Sequence, residues 1–294
     1  MSFDHNDTPI ELPDEDLFGI APFAESLASG LSGMTVPHGY TVAINGPWGS
    51  GKSSAINLIL HNLQSQSDSV KFEVVNFKCW WFRGEEALTH AFLQELNTAL
   101  INSIGLKDKG LIPAITKRLL QTRTIIGPAI NVTTGSAWGT LVASVMKFFE
   151  SFIKGESLEK LFKRLESALE VQDKRFLFII DDLDRLTPDE ALTVFKLIKS
   201  VGRLPNIVYL VAFDRDVSEK TIADQFPSEG PAFLEKIIQS SFELPLPQAS
   251  DLNAAMYSSI NTICGQINDS DEHHFMNIFH DGIAPFLTIP RDIV

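Results

Sequence analysis

An α/β domain built on a mostly parallel sheet, with helices covering both faces, is the fold class this sequence predicts. Three observations predict it. The run Phe176-Leu177-Phe178-Ile179-Ile180 is apolar at every position, and a strand with no polar face belongs in the middle of a covered sheet. Short apolar, β-branched runs alternate with stretches of helical period along much of the chain. A glycine-rich turn, Gly46 to Gly51, separates one such run from one such helix.

Taken in order, Phe23, Leu27 and Leu31 recur at a four-residue step and predict a first helix after an acidic N-terminal stretch. Tyr40 to Ile44 reads as the first strand and leads into the glycine turn. Ser53 to Leu63 follows as a helix with Ile56, Ile59, Leu60 and Leu63 on one face. Lys71 to Phe77 is the second strand. Glu85 to Leu100 is a helix with Leu88, Phe92, Leu96 and Leu100 inward. Residues 158–170 form another amphipathic helix, running into the apolar strand 176–180. Pro188 to Ser200 is a helix entered through Thr187 as N-cap, with Pro188 at its first position. Ile207 to Phe213 is the fourth strand and Ser241 to Leu244 the fifth. From Asp251 the pattern is helical, so a boundary is expected near Pro245 to Ser250, with a core over residues 1–250 and helices over 251–294.

A chain of 294 residues, 44% apolar and 21% charged, has the composition of a globular protein that buries a core. The formal net charge of −13 gives no support to a surface-wide nucleic-acid footprint; a basic stripe from Lys107 to Arg123 reads as a solvated helix face. Cys79 and Cys264 are far apart and suggest neither a metal site nor a disulfide framework, which fits a reducing cytoplasm. The acidic N-terminus lacks the basic, then apolar, pattern of a secretion signal. Thr124 to Met146 carries no charge. Pro128, Asn131, Thr133, Thr134, Gly135, Ser136 and Gly139 dilute it, and it is too short to cross a bilayer twice at about 20 residues per span. It reads as an insertion over 124–156, and membrane anchoring is not expected.

The chemistry begins at Gly46-Pro47-Trp48-Gly49-Ser50-Gly51-Lys52-Ser53. Glycines at this spacing let the backbone N–H groups turn inward and cradle a polyphosphate, and the following helix adds the positive end of its dipole. In this pattern, a P-loop, Lys52 carries charge to the β- and γ-phosphates and the Ser53 hydroxyl ligates Mg²⁺. A second acidic position is required at the carboxyl end of the strand beside the P-loop strand, to hold the metal. Asp181 fits that demand, and Asp182 follows it as the residue that orients a water. Asp184 and Arg185 are less defined: Arg185 pairs with Asp184, or reaches a nucleotide held by a neighbouring subunit. Asp214, after the fourth strand, is either a γ-phosphate sensor or a helix cap. Arg291, in a proline-started helix, folds over the nucleotide or stays on the surface. Trp80 and Trp81 read as core aromatics, an exposed pair being the mark of a partner surface. His273-His274 lacks neighbours at metal spacing and reads as surface.

Together these residues resemble the KAP family of P-loop NTPases, in the group that includes STAND and AAA-type ATPases. The likeness rests on Asp16-Leu17-Phe18-Gly19, Gly46 to Ser54, Phe77-Lys78-Cys79-Trp80-Trp81-Phe82, Ile180-Asp181-Asp182-Leu183-Asp184-Arg185-Leu186, Val211 to Arg215, Phe233 to Ile238 and Pro290-Arg291-Asp292-Ile293. The resemblance implies a three-layer fold with a five-stranded sheet in the order 5-1-4-3-2, Mg²⁺-ATP as ligand, Asp181 on the metal and Asp182 acting on water. It also implies that Asp16 to Ile20, with Phe18 and Gly19, lies near the adenine. Relatives that carry transmembrane pairs have them where Thr124 to Met146 falls, and here there is no pair. Bacterial relatives often work in phage-exclusion or defence systems beside effector proteins, and the resemblance implies such a role here by family-level analogy only. Because the chain stops just after Arg291, a longer natural protein with a fuller helical lid is expected.

The function these observations predict is a cytoplasmic, Mg²⁺-dependent ATPase. Its turnover would drive a conformational or assembly cycle in a homo-oligomer with effector partners. The alternative is a nucleotide-gated scaffold or switch with little hydrolysis. A metabolic kinase would need an acceptor pocket, for which the sequence offers no feature.

Overall fold

The computed structural model describes residues 8–35, 37–65, 72–101, 110–115, 158–172, 174–201, 203–225, 232–265 and 269–293. The uncharged stretch Thr124 to Met146, and most of the basic stripe from Lys107 to Arg123, lie outside the described residues. Five parallel strands form one sheet in the order β2-β3-β4-β1-β5. They are β1 (His38–Asn45), β2 (Phe72–Phe77), β3 (Arg175–Ile180), β4 (Ile207–Phe213) and β5 (Ser240–Glu243). This is the expected order, read from the other edge.

The period-2 alternation of side chains divides the core into two halves. Phe176, Phe178 and Ile180 on β3, with Tyr209, Val211 and Phe213 on β4, point to one face. There they pack against α3 (Glu85–Leu100), α4 (Leu158–Glu170) and α5 (Pro188–Val201). Leu177 and Ile179, with Val208, Leu210 and Ala212, point the other way. They meet α1 (Ala21–Ser32) and α2 (Lys52–Ser65). The unbroken apolar character of β3 and β4 is thus the signature of a three-layer fold: both faces of these strands are covered.

The helices follow their predicted stripes, with Phe23 on α1 and Phe162 on α4 half-buried at the margin and a shift on α2. On α2 the buried set is Lys52, Ala55, Ile56, Leu58 and Ile59, while Leu60 and Leu63 are only half-buried. The stripe therefore faces the sheet about one position earlier than the four-residue step suggested. Helix α5 begins as read, with Pro188 at its first turn. Its entry is fixed by Glu190, whose carboxylate accepts the N–H of Thr187 at 3.0 Å and that of Gly84 at 2.7 Å. One buried acid therefore fastens the starts of α5 and α3 together.

After α6 (Arg215–Gln225), the short α7 (Ala232–Glu235) and edge strand β5, the chain turns helical in α8 (Ala249–Cys264) and α9 (Asp269–Ile278). A π-turn and two 3₁₀ turns carry it to Ile293. Leu252, Phe279 and Leu287 form a small cluster of their own here, with Phe18 of the N-terminal segment packed against it. His273 and His274 are exposed. Among the described residues, no helix is long and apolar enough to cross a membrane.

Candidate functional site

Strand register brings the chemistry to one edge of the sheet. Asn45 is level with Phe213, and Ile180 with Val211, so the turns that leave β1, β3 and β4 emerge side by side. A cleft of about 620 Å³ opens there, within the usual range for a small-molecule site. Trp48, Gly49, Gly51, Lys52 and Ser53 form its floor, Asp181, Asp182, Asp184 and Arg185 one wall, and residues 8–10 and 15–18 another.

The glycine loop is shaped by backbone that other residues resist. Gly49 has φ +84° and Gly51 φ +99°, both in the left-handed region, and a Cβ on Gly49 would stand 2.7 Å from Ile289 Cδ1. The first amides of α2 have no acceptor within their own helix, and Lys52, Ser53 and Ser54 of this turn line the cleft. Lys52 is nearly buried, its ammonium donating to the carbonyls of Gly46 at 2.8 Å and Pro47 at 3.2 Å. It also pairs with Asp184 Oδ2 at 3.0 Å. Ser50 is fully buried and its hydroxyl has no hydrogen-bond partner among the described residues.

Asp181 and Ser53 meet across the sheet. The Ser53 hydroxyl donates to Asp181 Oδ2 at 2.6 Å, and Asp181 Oδ1 accepts the N–H of Asp182 at 2.8 Å. The expectation that the Asp181 strand lies beside the loop strand is corrected: β4 stands between β1 and β3. The two residues still touch because Ser53 is already in the first turn of α2, beyond the end of β1. Burial raises the Asp181 carboxyl above its ordinary value, against the lowering effect of Ser53 and the Asp182 amide. A hydroxyl and one carboxylate oxygen are hard donors, a set that fits Mg²⁺, which keeps its waters and takes few protein ligands.

Asp182 adopts φ 60°, the left-handed region, which Asp tolerates better than most residues. Its Oδ1 accepts Arg185 Nε at 2.9 Å. Arg185 therefore pairs with Asp182 rather than with Asp184, because the 3₁₀ turn Leu183–Arg185 brings residues three apart onto one side. Asp214 does not line the cleft. Its carboxylate accepts the N–H of Val217 at 3.3 Å and caps α6, while its own N–H donates to Asp184 Oδ1 at 2.7 Å.

Trp80 and Trp81 are not core aromatics: they are 36% and 61% exposed. The 3₁₀ turn Cys79–Trp81 gives the inward slot to Cys79, which is fully buried and donates to the Asp181 carbonyl at 3.3 Å. Arg185 lies over the Trp80 ring at 5.3 Å and Lys78 over that of Trp81 at 4.8 Å.

The N-terminal wall is held by polar ties absent from the sequence reading. Ser54 accepts the N–H of Ile10 at 3.3 Å, and Asn57 donates to the Ile10 carbonyl at 3.0 Å. Asp16 takes the amides of Phe18 and Ala21 at 3.1 and 2.7 Å, shaping the entry to α1. Phe18 lines the cleft, whereas Gly19, at φ +75°, shapes the turn behind it. At the opposite end, Arg291 lies over the exposed ring of Trp48, 3.9 Å from its centroid.

A parallel sheet in this order, with a glycine loop opening a helix and Asp181 facing Ser53, defines a P-loop nucleotide-binding domain. Residues 20–294 match the KAP family P-loop domain, and the chain belongs to that family. The phage T7 exclusion protein of Escherichia coli (strain K12) is 28% identical over 313 aligned positions. That alignment takes in 98% of this chain and 41% of the relative, so the chain spans about two-fifths of the relative's length. Among solved structures, the ORC2 protein of Aeropyrum pernix in ADPNP-ADP complexes is 16% identical, with a TM-score of 0.41, covering 91% of this chain and 56% of that one. The CDC6P structure from Pyrobaculum aerophilum is 12% identical, with a TM-score of 0.43, covering 86% and 51%.

Proposed function

We propose that this domain binds Mg²⁺-ATP and hydrolyses it, the turnover driving a conformational or assembly cycle in phage exclusion. The observation that carries the reading is the contact of Ser53 Oγ with Asp181 Oδ2, 2.6 Å apart beside the glycine loop. Mg²⁺ held by these two oxygens would neutralise charge on the phosphates as the terminal bond breaks. Lys52 supplies a second positive charge to the same phosphates, and the loop amides orient them. Asp182, one residue beyond Asp181, accepts a hydrogen bond from the attacking water and aligns it. Phe18 and the neighbouring wall take the base. Arg291 reaches over the loop from a helical lid formed by residues 251–294, above a core formed by residues 1–250. The phage-exclusion setting follows the matched relative, and effector partners, homo-oligomers and a cytoplasmic location complete the proposal.

Lys52→Ala should abolish nucleotide binding. Asp182→Asn should bind as the unaltered chain does and lose turnover by about 10²-fold or more. Equal phosphate release by Asp182→Asn and the unaltered chain would remove Asp182 from the reaction.

A second reading, a nucleotide-gated switch with little hydrolysis, is favoured by one observation: the Asp182 carboxylate is already engaged by Arg185. Arg185→Ala separates the two. A rise in steady-state phosphate release would mean that Arg185 restrains the acid, and a fall would mean that it takes part in turnover.

A further inference from the structure

The Lys52 ammonium has three donors, and the protein itself meets all three. Two go to the carbonyls of Gly46 and Pro47, and the third faces Asp184 Oδ2 at 3.0 Å. This third partner differs in kind, being a charge, and the pair is almost sealed, with side-chain exposures of 8% and 11%. The second oxygen of Asp184 accepts the N–H of Asp214 at 2.7 Å, where β4 passes into α6. One carboxylate thus ties the phosphate-loop lysine to the start of a helix on another strand's turn.

We infer that Asp184 is a positioning residue that competes with incoming phosphate for Lys52 and passes the exchange to the β4–α6 junction. The inference rests on the nucleotide-binding reading above and adds a device that sets affinity. A phosphate that takes Lys52 leaves Asp184 without its cation, in a site nearly closed to water and beside a polyanion. A buried carboxylate deprived of its partner is unfavourable, so Asp184 opposes phosphate retention and favours release. Asp181 and Asp182 share the cleft but engage Ser53 and Arg185 instead. Asp181 feels the Lys52 charge from further off, so the direct contact that phosphate must displace belongs to Asp184.

The test uses the full chain and isothermal titration with ADP and with a slowly hydrolysed ATP analogue, each with Mg²⁺. Asp184→Asn keeps an oxygen for the Asp214 amide and removes the charge facing Lys52. Its Kd should fall about tenfold, in the range that close charge pairs command, and by clearly more than in Asp182→Asn. Hydrogen exchange supplies a readout that simple charge removal would not move. In the unaltered chain, nucleotide should alter exchange at the Asp214, Val217 and Ser218 amides, and in Asp184→Asn that response should vanish. Asp184→Ser should show the same gain in affinity, which covers the case in which the Asn variant misfolds. Unchanged or weaker binding by both variants, with normal binding by the unaltered chain, overturns the inference. Absence of binding by the unaltered chain overturns the nucleotide reading itself.

Discussion

Arg291 lies face-on to Trp48, its guanidinium 3.9 Å from the centre of the indole, so the last turn of the chain rests on the glycine loop. The turn is kept in shape by Asp292, whose Oδ2 accepts the N–H and hydroxyl of Thr288 and the N–H of Ile289. Arg291→Ala should lower stability by about 1 kcal/mol, the scale of a partly exposed cation–aromatic contact. Urea unfolding followed by tryptophan fluorescence would measure it. Trp48→Ala should cost a similar amount, and the double variant should cost less than the sum. Additive losses would mean that the stack does not hold the two segments together.

Gly49 is the tightest point of the same contact. Gly49→Ala should destabilise the chain by about 1–3 kcal/mol, because it adds left-handed strain to a collision with Ile289. Ile289→Ala in the same chain should recover most of the steric part, leaving the backbone part and a close approach to Arg291 Cβ. Thermal unfolding of the three variants separates the two contributions, and no recovery in the double variant would mean that Ile289 does not press on the loop.

Glu190 makes stability depend on acid. Burial alone would raise its pKa, but the amides of Gly84 and Thr187, with help from Arg83, bring it below the ordinary value of 4.5. A depressed folded-state value means stability present above pH 4.5 and lost as pH falls through the folded pKa. Glu190→Ala should cost about 2 kcal/mol at neutral pH, since two backbone donors lose a charged acceptor. It should also flatten the acid limb of a stability–pH curve, and an unchanged limb would place the acid sensitivity elsewhere.

Cys79 and Cys264 should behave differently towards alkylation. Burial, with the charge of Asp182 next, pushes the Cys79 thiol up to about 12, whereas Cys264 is exposed on α8. Iodoacetamide at pH 8 should modify Cys264 alone in the native chain and both thiols in urea, as peptide mass spectrometry would read. Native modification of Cys79 would mean that the turn Cys79–Trp81 opens readily.

Local chemistry was the legible part. The glycine loop, Asp181 and the apolar run of β3 each announce themselves within a few residues, because a turn, a strand end and a covered strand are set by near neighbours. The N-cap at Thr187 was legible too, and Glu190 at the third helical position completes a Thr-x-x-Glu pattern that could have been read. What stayed hidden depends on pairs distant in the chain or on one degree of rotation. Composition says nothing of whether Lys52 faces Asp184, or that Ser54 and Asn57 hold residue 10. The Trp80–Trp81 pair misled because Cys79, a smaller and equally apolar neighbour, took the buried slot. Ile207 to Phe213 is legible as a strand from its own residues, but its place between β1 and β3 comes only with the family likeness.

The left-handed turn at Asp182 has an evolutionary corollary. Among non-glycine residues, Asp and Asn occupy that backbone region with the least penalty. On the proposed role of Asp182, a longer acid there would gain reach towards the water, yet Glu would forfeit about 1 kcal/mol of fold stability in the same step. The accessible path from Asp182 leads more easily to Asn or Gly, both without a charge. If Asp182 holds the water as proposed, drift at this position tends towards a domain that still grips its ligand but has lost its tempo, and descendants that only sense lie closer in sequence space than descendants that run quickly.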